Sequence, residues 1–249
     1  MVAISKKIDL RDTRFIVTGA AQGIGQAAAV SLAREGAQVA LLDVKDCGET
    51  KNMVGKEGGS AAITFEVNVT DARAIRDTIK IIRHKWGMIH GLVTAAGIVE
   101  RDPIEAMSLE QWNNVIGVNL TGTFLTIQSL YPILKAQHFG KIVCVGSVAA
   151  KVGGVIAGPA YVASKGGIHG LIKWVAKNGA EHGIYANAVA PGPVRTAMIA
   201  NEPYRDGMAP LGRLGEPQDI AEAIVFLASS ASNWVTGHVL DVNGGILMD

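Results

Sequence analysis

The sequence predicts an α/β protein in which a parallel sheet is covered by helices on both faces. Strand-length apolar runs and helix-spaced segments alternate along the whole chain. The runs are continuously apolar rather than alternating, as strands buried on both faces require. No repeat, low-complexity tract or linker divides the 249 residues, so one domain over 1–249 is expected.

The elements follow in order. Arg14–Thr18 is a short apolar run ending in Thr-Gly, and Ala- and Leu-rich helical spacing follows over Gly23–Glu35. Gln38–Leu42 and Ala61–Val67 are the next strand candidates. Asp71–Lys85 reads as a helix with an Asp cap and with Ile75, Ile79 and Ile82 on one side. His90–Ala95 and Lys141–Gly146 read as buried strands, with a long helical stretch, Leu109–Lys135, between them. Pro159–His182 is a second long helix, and Tyr185–Ala190 the strand after it. Pro217–Ala228 is a helix with Pro at its start, and His238–Val242 the seventh strand. The irregular stretch Pro191–Glu216, rich in Gly, Pro and Arg, is too long for a plain connection. A substrate lid around 193–216 is expected there.

Composition narrows the function. Charged residues make up 18% and apolar residues 49%, against about 25% charged in an ordinary soluble domain. So little charge hints at surface buried between subunits. A net charge of +1 gives no electrostatic case for nucleic acid. The N-terminus lacks the apolar core of a signal peptide, and no apolar stretch reaches membrane-spanning length, so no membrane partner is expected. Cys47 and Cys144 form no motif and read as free thiols in a reducing compartment, which places the protein in the cytoplasm. The six histidines share no metal-ligand spacing, so no metal is expected. Trp86, Trp112, Trp174 and Trp234 read as packing residues, with Trp174 on an outer helix face.

Chemistry enters at three places. Thr18-Gly19-Ala-Ala-Gln22-Gly23-Ile24-Gly25 lies between the first strand and the first helix. Small residues there let backbone approach a pyrophosphate, which the helix N-terminus then faces with free N–H groups. A tight strand-to-helix turn would also use such glycines. Asp43 ends the second strand, 18 residues after Gly25, where a carboxylate meets an adenosine ribose and repels a 2′-phosphate. Loop and acid together point to NAD rather than NADP, with Lys45 nearby leaving NADP open. Tyr161 and Lys165 sit four apart on one helix face, and Ser147 lies fourteen residues before Tyr161. An adjacent ammonium favours a phenolate, which makes such a tyrosine a general acid/base. Tyr131 and Lys135 repeat the spacing, but no Ser lies fourteen residues earlier and Pro132 interrupts the helical spacing, so they read as structural.

On these motifs the chain resembles the short-chain dehydrogenase/reductase family over essentially its whole length. The resemblance rests on the Thr18–Gly25 loop, Asn68-Val69, Thr94-Ala95-Ala96-Gly97, Asn119, Ser147, Tyr161 with Lys165, Pro191-Gly192 and Thr196, in the family's order. It implies a Rossmann-type, doubly wound sheet of seven parallel strands in the order 3-2-1-4-5-6-7. It implies catalytic roles for Asn119, Ser147, Tyr161 and Lys165. Tyr161 exchanges the proton with the substrate oxygen and Ser147 hydrogen-bonds that oxygen. Lys165 lowers the Tyr161 pKa and holds the nicotinamide ribose. Asn119 binds, through its backbone, a water that links Lys165 to solvent. NAD would lie along Gly19, Gln22, Gly23, Ile24, Gly25 and Asp43, then Asn68, Val69, Ala96 and Gly97. Tyr161, Lys165, Pro191, Gly192, Val194 and Thr196 would frame the nicotinamide end. The family's usual dimer faces, here Leu109–Lys135 and Pro159–His182, imply a homotetramer.

Two departures stand out. Thr94-Ala95 replaces the frequent Asn-Asn, so Thr94 takes over a central side-chain hydrogen bond. Asn68 replaces the frequent Asp and is expected to accept from the adenine amino group.

Around the substrate, Ile98, Val99, Val148, Ala149, Gly153, Gly154, Val155 and Met198 are small or apolar, and no charged residue stands ready to clamp an anion. The expected reaction is hydride transfer between NAD(H) and a neutral secondary alcohol or ketone. The alternative is a 3-oxoacyl thioester reductase, with Arg195, Arg205 and Arg213 facing an acyl carrier partner. A serine hydrolase using Ser147 is disfavoured because Gly146-Ser147-Val-Ala-Ala150 lacks the second glycine of a nucleophile elbow. A non-catalytic dinucleotide sensor need not keep Asn119, Ser147, Tyr161 and Lys165 together.

Overall fold

The strands of this chain are assembled by the register of their buried residues. The computed structural model describes residues 8–57, 62–154 and 156–249. The first residue of the expected strand Ala61–Val67, and Val155 of the expected pocket, lie outside them. Seven parallel strands pair in the order β3-β2-β1-β4-β5-β6-β7, as the resemblance implied. They are β1 (Arg14–Thr18), β2 (Gln38–Asp43), β3 (Ile63–Glu66), β4 (Gly91–Thr94), β5 (Gly140–Val145), β6 (Ile184–Pro191) and β7 (Val239–Val242).

Successive side chains leave a strand on opposite faces. Phe15, Val17, Val39, Leu41, Val143 and Val145 therefore enter one core, packed against α1 (Gly23–Arg34) and α8 (Pro217–Ala228). Ile16, Ala40, Leu42, Ile142 and Cys144 enter the other. That face is covered by α3 (Ala72–Trp86), α5 (Gly122–Gln137) and α7 (Pro159–Gly179) through Ile75, Ile79, Ile82, Leu130, Leu134, Ile168 and Ile172. Helix ends follow the sequence signals. Asp71 Oδ1 accepts from Arg73 N and Ala74 N, both at 2.9 Å, and Pro217 opens α8.

The helix α2 (Gly48–Lys56) carried no sequence signal, because only Thr50 and Val54 of its nine residues are buried. The expected helix Leu109–Lys135 is three pieces in line: α4 (Leu109–Ile116), a π-helical turn (Gly117–Thr121) and α5. Pro132 lies inside α5 without breaking it, correcting the expected interruption. One lost N–H bond is outweighed there by the burial of Leu130 and Leu134 on either side. A short helix, α6 (Ala149–Val152), follows Ser147. Trp174 is exposed as expected, but Trp234, expected to pack, is fully exposed among the described residues. Cys47 and Cys144 are free and buried. No helix is long and apolar enough to cross a membrane among the described residues.

Candidate active site

The parallel register aligns Thr18 with Thr94, Thr94 with Cys144 and Cys144 with Ala188. The strands thus end at one edge, where ligands bind in open α/β sheets. The loops leaving that edge border a cleft of about 730 Å³. Every residue expected at the cofactor lines it, from Gly19, Gln22, Gly23, Ile24 and Gly25 through Asp43, Asn68, Val69, Ala96 and Gly97 to Pro191, Gly192, Val194 and Thr196. So do Ser147, Tyr161 and Lys165, and Val148, Ala149, Gly154 and Met198 of the expected substrate wall. Gly153, which turns at φ +86°, is not among the lining residues.

At the cleft's first end, Gly19 has φ +67° and a Cβ there would lie 2.5 Å from Ala96 N. Only glycine lets the β1 loop meet the β4 loop so closely. The Gln22 side chain does not cap α1, so the first N–H groups of that helix stay available to an anion. Asp43 Oδ2 accepts from Ala21 N and Oδ1 from Lys45 N, both at 3.0 Å. Lys45 Nζ donates to Gln22 Oε1 at 3.2 Å, which ties that cation to the loop. An uncapped helix start, a glycine cradle and a carboxylate held beside them fit a dinucleotide.

Two smaller expectations concern Asn68 and Thr94. Asn68 Oδ1 accepts from Thr70 N at 3.0 Å, which closes a local turn and leaves its second lone pair for a ligand. Thr94 Oγ1 is buried without an aligned oxygen or nitrogen partner among the described residues and engages only weakly with the Cys144 thiol. It does not replace the central hydrogen bond.

Asn119 does not line the cleft. The π-helical turn aims its fully buried side chain at the β4 loop, where Oδ1 accepts from Ile98 N at 2.8 Å and Nδ2 donates to Ile98 O at 2.9 Å. Nδ2 also donates to Ser164 Oγ at 3.0 Å, and Ser164 Oγ to Tyr161 O at 2.7 Å. Asn119 thus braces the loop before the substrate wall against the turn of α7 that bears Tyr161. Its carbonyl accepts from Thr123 Oγ1 at 2.7 Å.

Tyr161 and Lys165 are adjacent on α7, with Lys165 Nζ 5.6 Å from the Tyr161 ring centroid. Lys165 Nζ donates to Val145 O at 2.8 Å, which fixes the ammonium under the cleft. Burial pushes its pKa down to about 8, so it carries its charge at neutral pH. Burial pushes the Tyr161 phenol above its ordinary 10.0, the Ser147 hydrogen bond and the Arg101 charge pull it down, and Tyr204 raises it. In this arrangement desolvation is the largest of these influences. Ser147 Oγ also accepts from Ala149 N at 3.1 Å, which orients the hydroxyl. By contrast, neither Tyr131 nor Lys135 lines the cleft.

Sequence reasoning missed Arg101, Tyr204, Met208 and Ile246, which also line the cleft. Arg101 corrects the expectation of an uncharged substrate wall. Its charge is committed, however: Nη2 donates to Met198 O at 2.7 Å and Nε lies 3.0 Å from Glu202 Oε1. Nothing in the sequence links residue 101 to residues 198 and 202. Arg195 pairs with Asp206 and Glu216, and Arg213 with Asp219 at the start of α8, so both are engaged within this chain.

A family model described as enoyl-(acyl carrier protein) reductase matches residues 19–247. The chain is 35% identical to the (3R)-3-hydroxyacyl-CoA dehydrogenase of Canis lupus familiaris, over 98% of this chain and 100% of that protein. It is 37% identical to the 3-oxoacyl-[acyl-carrier-protein] reductase FabG of Thermotoga maritima, over 94% of this chain and 97% of that protein. The crystal structure of a short-chain type dehydrogenase/reductase from Mycobacterium marinum superposes with a TM-score of 0.93 at 30% identity, covering 97% of this chain and 98% of that one.

Proposed function

This chain belongs to the short-chain dehydrogenase/reductase family and is an oxidoreductase acting on a CH–OH group, and from that premise we propose that it transfers a hydride between NAD(H) and a neutral secondary alcohol or ketone. One observation carries the reading: Ser147, Tyr161 and Lys165 open into the same cleft as the glycine loop and Asp43. Bound along that cleft, the nicotinamide would supply or accept the hydride. Tyr161 gives a proton to the substrate oxygen or takes it back, and Ser147 hydrogen-bonds that oxygen as charge develops. Lys165, held by Val145 O, presents a positive charge beside the phenol at neutral pH. Asp43 places one negative charge at the adenosine end, which selects NAD against a 2′-phosphate.

The second reading takes a 3-oxoacyl or 3-hydroxyacyl thioester as substrate and is favoured by the names of the two relatives at 35% and 37% identity. Absorbance at 340 nm separates the two. Simple secondary alcohols and ketones, and thioesters of matched chain length, are each assayed with NAD and with NADP. Comparable kcat/KM for simple ketones supports the first reading, and a thioester advantage of orders of magnitude overturns it. Absence of hydride transfer to any of them would overturn both.

Exposed Leu109, Phe124 and Trp174 on α4, α5 and α7 support a homotetramer built on those faces. Light scattering at micromolar concentration should give four times the 26.0 kDa of one chain, and a monomer peak would refute the assembly. Two free, buried thiols suit a reducing compartment such as the cytoplasm.

A further inference from the structure

The segment 100–102 is a fixed post on one wall of the cleft. Glu100 O accepts from Gly158 N at 2.9 Å, just ahead of α7. Asp102 Oδ2 accepts from Gln111 Nε2 at 2.6 Å, at the start of α4. From this post the Arg101 side chain crosses to the lid, where its Nη2 holds Met198 O at 2.7 Å. Its Nε faces Glu202 Oε1 at 3.0 Å, a charge contact outside good hydrogen-bond alignment. The two side chains are 28% and 23% exposed, so the pair is less screened than an open surface pair.

The other ion pairs of the lid stay within it or reach α8, the helix that follows it. Arg195 pairs with Asp206 at 2.6 Å and Glu216 at 2.9 Å, and Arg213 with Asp219 at 2.6 Å. Among the described residues, Arg101–Glu202 is the ion pair that joins the lid to the opposite wall. Around the two anchor points, Met198, Ile199, Tyr204 and Met208 line the cleft that also holds Tyr161.

We infer that Arg101 is a positioning residue, whose guanidinium latches the lid through Met198 and Glu202 over the substrate oxygen beside Tyr161. The inference rests on the reading of Tyr161 as the proton-transfer group. A closed lid excludes water and presses Met198 and Tyr204 onto the bound substrate. Arginine suits the task because its planar fork makes both contacts at once, whereas a lysine makes one. Four groups face the phenol: Ser147 after β5, Lys165 on its own helix, Tyr204 from the lid and Arg101 from the post. Of these, Arg101 is the one whose charge depends on the latch for its place.

The test is a double-mutant cycle on the full chain with R101Q, E202Q and the double variant, with R101K beside them. R101Q should raise the ketone KM about 10-fold, E202Q by less because the Met198 contact survives it, and the double variant no further than R101Q, because the Glu202 contact is already lost in that variant. The NADH dissociation constant, read by fluorescence titration, should stay within about twofold, since the latch lies away from the adenosine end. In R101Q the alkaline limb of ketone reduction should move to higher pH, because the phenol keeps its proton longer without the neighbouring cation. R101K should restore that limb while KM stays raised. Multiplicative losses in the double variant, an unchanged KM, or an unmoved pH limb would overturn the latch.

A second readout does not depend on hydride transfer. Arg205 is exposed on the lid, and trypsin cleavage after it, followed by mass spectrometry, should be faster in R101Q and E202Q than in the unmodified protein. Equal cleavage rates would overturn the latch even if the chain reduced no ketone. Faster cleavage without ketone reduction would keep the latch and overturn the functional reading alone.

Discussion

Tyr161→Phe lowers kcat about 10³-fold in both directions, within the range for loss of a positioned general acid/base. The NADH dissociation constant stays within about twofold, because the ring and its packing on α7 remain. The pH dependence gives the stricter check. Burial holds the phenol above its ordinary 10.0, so Tyr161 is protonated at neutral pH and ready to donate to a ketone oxygen. Alcohol oxidation needs the phenolate, so its rate climbs as pH rises into the alkaline range. Ketone reduction falls over the same range as the proton is lost. Lys165 supports the phenolate only while charged, which burial limits to pH below about 8. In Tyr161→Phe both slopes should vanish along with the rate. Stopped-flow kinetics in both directions from pH 6 to 10 measure this, and retention of the wild-type slopes in the variant would remove Tyr161 from the proton path.

Asp43→Ala shifts the NAD over NADP preference in kcat/KM by about 10²-fold toward NADP, since two unit charges about 4 Å apart interact by roughly 1–4 kcal/mol between water and a protein surface. The carboxylate is half-buried, so the figure belongs below the upper end of that range. Asp43 also orders the loop, by accepting from Ala21 N and Lys45 N. Asp43→Asn separates the two effects. It keeps one side-chain oxygen, enough for one of those two N–H groups, and removes the charge. If charge discriminates, Asn and Ala should both relax the preference, and Asn should keep more of the NAD affinity. A cofactor ratio unchanged in both variants would sink the assignment.

Much of this cleft can be read from local chemistry. Gly19, Gly25 and Asp43 stand at fixed distances from strand ends, and a strand end is visible as the close of an apolar run. Tyr161 and Lys165 share a helix face, and Ser147 follows a buried strand, so neighbours in the sequence become neighbours in the site. The π-helical turn at Asn119 left no such trace, because its Asn119 bonds to Ile98 join segments distant in sequence. The helix α2 was missed for the opposite reason: it buries too little to print a period on its sequence. Pro132 misled because a helix was judged by one residue's missing N–H, while its stability comes from a whole buried face.

The sequence by itself determined the doubly covered parallel sheet and pointed to the glycine loop, Asp43 and the Tyr161–Lys165 pair, because each depends on periodicity or on spacing within one strand–loop–helix unit. The strand order came with the family resemblance. Only the tertiary structure decided that the Tyr161 phenol is desolvated, that Gly153 lies outside the cleft lining, and that Arg101 reaches Met198 and Glu202. Those facts depend on how deeply a side chain is buried and on which distant segments meet, and burial and long-range contact are set by the packing of the whole chain.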